Sequence, residues 1–526
     1  MIWPRLQALL LFLCWIPLAH GTVAPHTASP APSPLAFPTA VGFGAEATGG
    51  RGGQVIHVTN LNGSGAGSFA AAAQTSGPRV IVFNVAGNIP INERLEIPDG
   101  ELTIACQSAP GGGISFVGGT LAFGRLDDST PFANQQHIKT RNILIRHCRS
   151  RDAAASSRRG DNADGIQFLN ADLVMLDHVS IAWAADESGA MRRSRRVTWQ
   201  NCLITEPLIN GKHSKGAHAY GPMASYGTHD WSMIGCFLSN GYRRFPHMMG
   251  NNYASSGRSR SQTRPGRSGS RERTRERSGR DRGRSRDAAG GRPQRPQRQS
   301  RQEIDRANLG PPHPIFLFAG NTIYNIGGPR GIGGSQVGLG AQAVIENNAY
   351  WRGPDTVASW APVRGSERSD SGASGSQVWL AGNTLDGVLP ADQGDLVATR
   401  HDMPPPGTSA TRWTAPEINL AVLAAPDAVG ALPHDAIDAR VLNEFLSKTG
   451  QQGAPWRSAG DPVPAPAAGK PLPDSDRDGM PDSWERERKR NPERYDPWQD
   501  RDCNGWSDLE DYLNERAGDT RVAGSC

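Results

Sequence analysis

The sequence predicts an all-β protein whose central part is a parallel β-helix. Six short apolar strands, each followed by a polar or small pair and then one small residue, recur at irregular intervals between about 20 and 90 residues. Each strand is too short to bury its own face, so stacked copies would have to form a common core. Glycine separates these strands throughout. The alternative is an ordinary β-sandwich in which the matches are coincidental.

The repeats align on the small residue that follows each strand. They span residues 143–149, 174–180, 197–203, 232–237, 317–323 and 344–350, with a weaker copy at 379–385. The alignment predicts one column inside the coil: Cys148, Val179, Cys202, Cys236, Thr322, Ala349 and Thr384. Neighbouring asparagines are predicted to contribute to a side-chain ladder: Asn201, Asn321, Asn348 and Asn383.

The N-terminal residues indicate export. Residues 1–21 place Arg5 before an apolar run and small residues at its end, which is typical of a secretory signal peptide. The run is too short to favour a membrane span, and no second one follows. Residues 22–40 are rich in Pro, Ala, Ser and Thr and are predicted to be a linker without a packed core. The protein is therefore expected to be secreted.

The net charge of +5 comes from one segment. Residues 257–306 contain 17 arginines and six acidic residues, so the rest of the chain is net negative. This segment has almost no apolar residues and is predicted to be a disordered insertion. It could attract nucleic acid or an acidic polysaccharide, but a solvated insertion is favoured, and no specific nucleic-acid partner is expected.

Removal of the signal peptide leaves six cysteines, which allow 15 disulfide pairings. Only one pair is preferred from position: Cys503 with Cys526, because both lie in one short terminal segment.

Two acidic loops near the C terminus have the spacing of a twelve-residue calcium loop. The candidate ligands are Asp474, Asp476, Asp478, Asp482 and Glu485 in the first loop and Asp500, Asp502, Asn504, Asp508 and Asp511 in the second. Pro481 is unusual in an EF-hand, so a thrombospondin-like or dockerin-like module is an equal possibility, and an acidic solvated tail is the alternative. Residues 451–473 are predicted to be a second linker and 474–526 the calcium-loop module.

Three acids on neighbouring repeats are candidates for a second calcium site. Asp164 lies in the motif GDNADGIQF, and Asp186 and Glu187 end the motif LVMLDHVSIAWAADE. Stacked coils bring such residues within about 5 Å, and carboxylates are preferred calcium ligands. Lys215 and Arg244 lie in glycine-flanked loops and suit a polyanionic sugar. Solvated acids and surface cations are the alternatives.

At these residues the chain resembles a known family. The motifs GFGAEATGGRGG, LTIACQSAPGGGI, DHVSIAWAADE, HSKGAHAYG and RFP follow one another in the order found in secreted bacterial pectate lyases of polysaccharide lyase family 1. The resemblance extends to about residue 450. It implies a right-handed single-stranded parallel β-helix over residues 41–450 that binds polygalacturonate in a groove through calcium.

The resemblance also implies roles for individual residues. Asp164 matches the first calcium aspartate, and Asp186 with Glu187 matches the second acidic position. Arg244, in an R-x-P motif, matches the arginine that removes a proton, and Lys215 matches a lysine that binds a substrate carboxylate. Guanidinium groups stay protonated below about pH 12, so alkaline conditions would favour such a base.

The chain departs from the family pattern at two positions. Ala190 stands where an acid or polar ligand is common, and Met249 replaces a second basic residue. The interpretation is a secreted enzyme that cleaves de-esterified polygalacturonate by calcium-dependent β-elimination and is expected to act as a monomer. The alternatives are a lyase for another uronate polymer on the same scaffold and a non-catalytic polysaccharide-binding β-helix protein.

Overall fold

The computed structural model describes residues 35–126, 140–155, 160–250, 315–328, 334–365, 376–388, 399–400, 428–522 and 524. Within them the chain winds through coils made of three strands. Each complete coil passes from sheet 2 to sheet 1 and then to sheet 3, and every strand pairs in parallel with its counterpart in the next coil. The predicted parallel β-helix is confirmed.

The described strands form three sheets. Sheet 1 contains Gln54–Val58, Arg79–Phe83, Leu102–Ala105, Arg141–Arg146, Asp172–Asp177, Arg195–Gln200, His229–Ile234, Ile315–Ala319, Gln342–Glu346, Gln377–Ala381 and Thr399–Arg400. Sheet 2 contains Arg94–Ile97, Thr120–Gly124, Ile166–Leu169, Gly189–Arg192, Met223–Ser225, His247–Met249, Ser335–Gly338 and Val363–Gly365. Sheet 3 contains Gly87–Pro90, Ile114–Val117, Arg149–Arg151, Ser180–Ala182, Leu203–Thr205, Phe237–Ser239, Thr322–Tyr324, Ala349–Trp351 and Thr384–Leu385.

A left-handed backbone residue turns each coil from sheet 1 into sheet 3. The residues at this position are His147, His178, Asn201, Gly235, Gly320, Asn347 and Gly382. Glycine adopts this conformation without steric cost, and asparagine tolerates it better than most residues do. The next residue of each coil points into the core, and the column there is Cys148, Val179, Cys202, Cys236, Asn321, Asn348 and Asn383.

The predicted column was therefore wrong by one residue in its last three members. Asn321, not Thr322, is the counterpart of Cys236, whose amide donates to the Asn321 side chain over 2.8 Å. The ladder continues from Asn321 to Asn348 and from Asn348 to Asn383, each over 2.9 Å. Asn201 does not belong to it, because Asn201 occupies the left-handed turn position that glycine fills in the following coil.

The interior of the coils is a continuous apolar core. It includes Trp199, Trp231, Phe316 and Phe318, which are fully buried or nearly so. One disulfide between described residues, Cys106–Cys148, joins two coils, and Cys202 and Cys236 are buried free thiols. Cys503 is disulfide-bonded, and its predicted partner Cys526 lies outside the described residues.

The outer face of sheet 1 is covered from both ends of the chain. Phe37 and Ala40 are buried against Leu144 and Met175, so the described end of the predicted linker 22–40 packs instead of lacking a core. The reason is that this end carries apolar side chains that the rest of the segment lacks. The two helices of the C-terminal module, Asp482–Glu487 and Asp508–Arg516, lie over Val55, Val80, Val82 and Ala105.

Two further helices complete the described structure. Phe69–Ala73 follows the first strand, with a short 3-10 turn at Cys106–Ser108 later in the chain. The longest helix, Ala436–Ser447, packs Val441 and Phe445 on sheet 3. No described helix has both the length and the apolar character needed to cross a membrane. The predicted signal peptide 1–21 and the Arg-rich segment 257–306 lie outside the described residues.

Candidate functional site

The predicted site residues come together on the loops that lead into sheet 2. Asp164 precedes one strand of that sheet, Asp186 and Glu187 precede the next, Lys215 lies on the loop before the third, and Arg244 precedes the fourth. The strands concerned are Ile166–Leu169, Gly189–Arg192, Met223–Ser225 and His247–Met249, which are consecutive neighbours in the sheet. Parallel stacking therefore places residues 80 positions apart at one edge.

Three carboxylates form the acidic part of the site. Asp164, Asp186 and Glu187 each offer an oxygen within 4.8 Å of the others, and all three side chains are buried. Burial and the charge of Asp186 raise the pKa of Asp164. Burial and the charges of both aspartates raise the pKa of Glu187 well above its usual value. The three carboxylates therefore lie where burial and mutual repulsion disfavour their negative charges, as expected of residues that hold a cation.

The third carboxylate behaves differently. Burial would raise the pKa of Asp186, but a hydrogen bond from His218, another from the Asn162 amide, and the charges of His218 and His213 outweigh it, and the net shift is downward. The Asn162 amide donates to Asp186 Oδ2 over 2.9 Å. Asp186 is thus the member of the cluster that stays ionised most easily.

Arg244 meets the acidic cluster directly. Its Nη1 donates to Glu187 Oε1, and its guanidinium lies 4.4 Å from the ring centre of Tyr220. The backbone of Tyr220 pairs with Glu187 on one side and with Arg243 on the other, so three successive coils are in register at this point. An ion pair of this kind stabilises the charged guanidinium. The predicted base and one predicted calcium ligand are partners in this structure.

Lys215 lines the same pocket as Asp186, Glu187 and Arg244. The pocket has a volume of about 250 Å³. It is lined by Asn162, Asp186, Glu187, Arg192, Lys215, His218, Met223, Ser225, Tyr226, Arg244, His247, Met249 and Gln336. The amide of Lys215 donates to His213 Nδ1 over 3.1 Å, while its side chain is exposed. All five residues singled out in this part of the sequence therefore lie at one place.

The two departures from the family pattern also lie near this place. Ala190 is fully buried on its strand, beside Gln167 in the preceding coil, and contributes no ligand atom. Met249 lines the pocket with an apolar side chain where a second basic residue was expected.

The sequence interpretation missed three residues that contact the site. His213 and His218 lie against Asp186, and Tyr220 lies under Arg244. The signal was present, because both histidines and the tyrosine stand in the motif HSKGAHAYG from which only Lys215 was selected. Arg192, another pocket residue, adds positive charge that acts on Asp164 and Glu187.

The first C-terminal loop gathers three of its five predicted ligands. Asp474, Asp476 and Asp478 each offer an oxygen within 4.8 Å of the others, and Gly479 donates its amide to Asp474 over 3.1 Å. Glu485 is fully buried, and neither of its carboxylate oxygens has a hydrogen-bond partner. Burial raises the pKa of Asp476 to about 6, that of Glu485 to about 7 and that of Asp478 to about 8.

The fourth predicted ligand of that loop, Asp482, is hydrogen-bonded within the loop. Asp482 accepts from the amide and the hydroxyl of Ser475 over 2.8 and 2.9 Å, and it begins the helix Asp482–Glu487. Residues 461–473 contain no helix, so the loop lacks the entering helix of an EF-hand.

The second loop is already supplied with positive partners. Asp508 pairs with Arg490 and Arg501, and Arg521 pairs with Asp502 over 2.9 Å. The Asn504 side-chain amide donates to Asp511 over 3.0 Å. Asp500 accepts from the amides of Asn504 and Gly505. Among the described residues this loop forms no cluster of three acids like that of the first.

Comparisons with known proteins find similarity to pectate lyases. It is 28% identical over 522 residues to the probable pectate lyase C of Emericella nidulans, covering 97% of each chain. A second probable pectate lyase C, from Neosartorya fischeri, is 38% identical over 175 residues, a third of this chain and 37% of that relative. No protein-family model matches.

Solved structures with a similar arrangement include the cedar pollen allergen Jun a 1, at 12% identity and TM-score 0.46 over 75% of this chain and 93% of that one. Another is a pectate lyase from Bacillus sp. N165 in complex with trigalacturonate, at 13% identity and TM-score 0.39 over 78% and 98%. The sequence match to the Emericella protein extends over nearly the whole length of both chains. The chain is thus similar in sequence to proteins named probable pectate lyase C, and its fold is a right-handed parallel β-helix.

Proposed function

We propose that this protein is a secreted lyase that cleaves de-esterified polygalacturonate by calcium-dependent β-elimination, acting as a monomer. One observation carries the proposal: two buried carboxylates, an arginine and an exposed lysine line one pocket on the β-helix surface, and a third buried carboxylate, Asp164, lies directly beside the first two. Relatives that match the chain are named pectate lyases, which is consistent with it.

The donor set fits calcium. Asp164, Asp186 and Glu187 supply hard oxygen ligands, and the raised pKa of Asp164 and of Glu187 marks charges that the protein alone does not fully compensate. When bound, calcium would place positive charge beside the substrate carboxylate, where negative charge develops as the C5 proton leaves. Such a bridge requires a free carboxylate, which favours pectate over methylated pectin.

The residues around the acids have distinct tasks in this proposal. Lys215 pairs with a uronate carboxylate from the exposed rim of the pocket. At alkaline pH a neutral Arg244 guanidine, which has first released a proton to solvent, takes the proton from C5. The electron pair of that C–H bond forms the C4–C5 double bond, the C4–O bond breaks, and the leaving oxygen takes a proton from solvent. For this step Glu187 would have to release Arg244 from the ion pair that the two side chains form.

The first C-terminal loop also fits calcium. Asp474, Asp476 and Asp478 converge, and the buried oxygens of Glu485 have no hydrogen-bond partner. Because its helices pack on sheet 1, we assign this loop a stabilising task and not a catalytic one. For the second loop, with its candidates Asp500, Asp502 and Asp511, the same proposal is weaker because arginines already pair with its acids.

One rival function has specific support. Ala190 and Met249 remove a ligand atom and a positive charge that the family pattern leads one to expect. A protein with these losses could bind an acidic polysaccharide without cleaving it. A lyase for another uronate polymer is the remaining alternative.

The test is a spectrophotometric assay of the purified full-length protein. Polygalacturonate, highly methylated pectin and alginate are each supplied with calcium or with a chelator, from neutral to alkaline pH. The expected result is a calcium-dependent rise in ultraviolet absorbance from the unsaturated product, greatest with polygalacturonate. Binding without any such rise would support the polysaccharide-binding alternative, and a rise with alginate alone would support another uronate substrate.

A further inference from the structure

Two buried histidines contact one oxygen of Asp186. His213 Nε2 lies 3.3 Å and His218 Nε2 lies 3.1 Å from Asp186 Oδ1. We propose that His213 and His218 are positioning residues that hold the Asp186 carboxylate in the one orientation from which it binds calcium. This inference rests on the calcium site of the proposed function and assigns the histidines no contact with the sugar.

The hydrogen bonds around His213 establish which ring nitrogen faces Asp186 as a donor. The Lys215 amide donates to His213 Nδ1 over 3.1 Å, so in the neutral ring the hydrogen is on Nε2. Asp161 Oδ1 lies 3.3 Å from the same Nδ1. A doubly protonated ring would still present Nε2–H to Asp186. In either form His213 presents Nε2 on the side of the carboxylate.

Stacking keeps both rings in place. The ring centres of His213 and His218 are 3.7 Å apart with 5° between the planes, and those of His218 and Tyr220 are also 3.7 Å apart. The other neighbour of Tyr220 is the Arg244 guanidinium, 4.4 Å from the ring centre. His218 therefore cannot rotate without losing contacts on both of its faces. One stack links the residues that orient Asp186 to the proposed base.

The hydrogen bonds leave Asp186 little freedom. Its Oδ1 faces both imidazoles, and its Oδ2 accepts from the Asn162 amide. A carboxylate has about four lone-pair directions, so these three neighbours leave few of them open to a ligand. Partners of this kind fix the orientation of metal ligands in many proteins.

The same geometry argues against a metal held by the two histidines themselves. Asp186, His213 and His218 do offer three ligand atoms within 4.8 Å of one another. A metal bound to an imidazole lies close to the plane of that ring. The planes of His213 and His218 are nearly parallel and do not converge on a common point. The contact of each Nε2 with Asp186 Oδ1 does not require the oxygen to lie in both ring planes, so the two rings make it together.

Two substitutions separate the hydrogen bond from the stack. His218→Gln retains an N–H donor near the position of Nε2 but removes the aromatic ring, whereas His218→Phe retains a flat ring and removes the donor. Calcium binding is measured by titration calorimetry on the full-length protein without substrate. The heat that disappears in Asp164→Asn identifies the β-helix site and separates it from the C-terminal loops.

We expect His218→Phe to weaken calcium binding at this site about 10-fold and His218→Gln to stay within about threefold of the unsubstituted protein. Unchanged binding in His218→Phe, or equal weakening in both variants, would overturn the proposal. If His218→Phe does not fold, as judged by circular dichroism, His213→Gln and His213→Phe are compared in the same way. Calorimetry needs no turnover, so absence of lyase activity would refute the proposed function alone, and absence of any Asp164-dependent heat would refute both.

Discussion

The two acid-rich sites of the described structure differ in what already compensates their charge. On the β-helix, Asp186 receives hydrogen bonds from histidine and Glu187 is paired with Arg244. In the first C-terminal loop, the oxygens of Glu485 and one oxygen of Asp478 are buried without a hydrogen-bond partner. The first site is thus held together by the protein's own side-chain donors, while the second leaves several carboxylate oxygens without a partner.

This difference predicts different consequences of calcium. In the loop, a bound cation would offset repulsion among buried acids, so its main effect should be on stability. On the β-helix, a bound cation must compete with Arg244 for Glu187, so its main effect should be on the state of Arg244 and on activity. Four predictions test this contrast.

The largest effect is expected from removal of Arg244. If Arg244 removes the proton, Arg244→Ala should lower kcat on polygalacturonate by about 10²- to 10⁴-fold, the usual contribution of a general base. The matched control is Arg243→Ala, because Arg243 also lies over Tyr220, 4.8 Å from its ring centre, but does not pair with Glu187. Steady-state kinetics at alkaline pH measure both. Full activity in Arg244→Ala would leave the fold unchanged and remove the proposed base.

The next effect concerns stability at the C-terminal loops. Glu485→Gln should unfold at a lower temperature than the unsubstituted protein in calcium, by about 5 °C or more, because a ligand is lost. In chelator the order should reverse, since the substitution removes a buried charge. Asp502→Asn is the control in the second loop, where Arg521 pairs with the substituted acid, and its shift should be smaller. Differential scanning calorimetry with and without calcium measures these shifts, and identical behaviour of the two variants would contradict the contrast.

A smaller effect should appear in calcium affinity on the β-helix. Arg244→Gln frees Glu187 from its ion pair and should tighten calcium binding about fivefold, which corresponds to ~1 kcal/mol. Arg192→Gln removes a positive charge that also acts on Glu187 and Asp164, and it controls for charge alone. Titration calorimetry measures the calcium affinity of both variants. Equal tightening would show that the Arg244–Glu187 pair adds nothing beyond its charge.

Sequence reasoning recovered the parts of this molecule that depend on strand spacing. Because coils stack in parallel, the repeats predicted that Asp164, Asp186 and Glu187 meet, and the family resemblance added Lys215 and Arg244 to the same site. Side-chain partners could not be read in the same way. Arg244 pairs with Glu187 because its side chain reaches across to another coil. The spacing of residues along the sequence does not determine that side-chain conformation.

The two errors in the sequence interpretation also have physical causes. Asn201 and Asn321 look equivalent beside a small residue, yet one occupies the left-handed turn and the other the interior ladder. The two positions differ in the backbone angle φ. The sequence does not reveal this difference, because the left-handed turn position is asparagine in some coils and glycine in others. His213 and His218 were overlooked because a histidine in a glycine-rich loop has no periodicity to mark it, and only the fold shows that both rings contact Asp186.

The smallest effect concerns a buried acid that lies outside the acidic clusters. It shows how burial alone changes stability, without the repulsion of clustered acids. Glu346 ends a strand of sheet 1, is 2% exposed, and has one carboxylate oxygen without a hydrogen-bond partner. Burial raises its pKa to about 7. The folded protein therefore keeps a proton that the unfolded chain loses near pH 4.5, and stability falls as pH rises from there through about 7.

Glu346→Gln removes that penalty. The variant should match the unsubstituted protein at pH 4 and unfold roughly 1–3 °C higher at pH 8, as measured by thermal unfolding across this range. Exposed Glu46→Gln serves as the control and should show no such trend. Calcium should leave the Glu346→Gln difference unchanged, because Glu346 belongs to none of the groups of three possible metal ligands among the described residues. A difference that calcium abolishes would mean that Glu346 belongs with the clustered acids and that burial alone does not distinguish the two kinds of site.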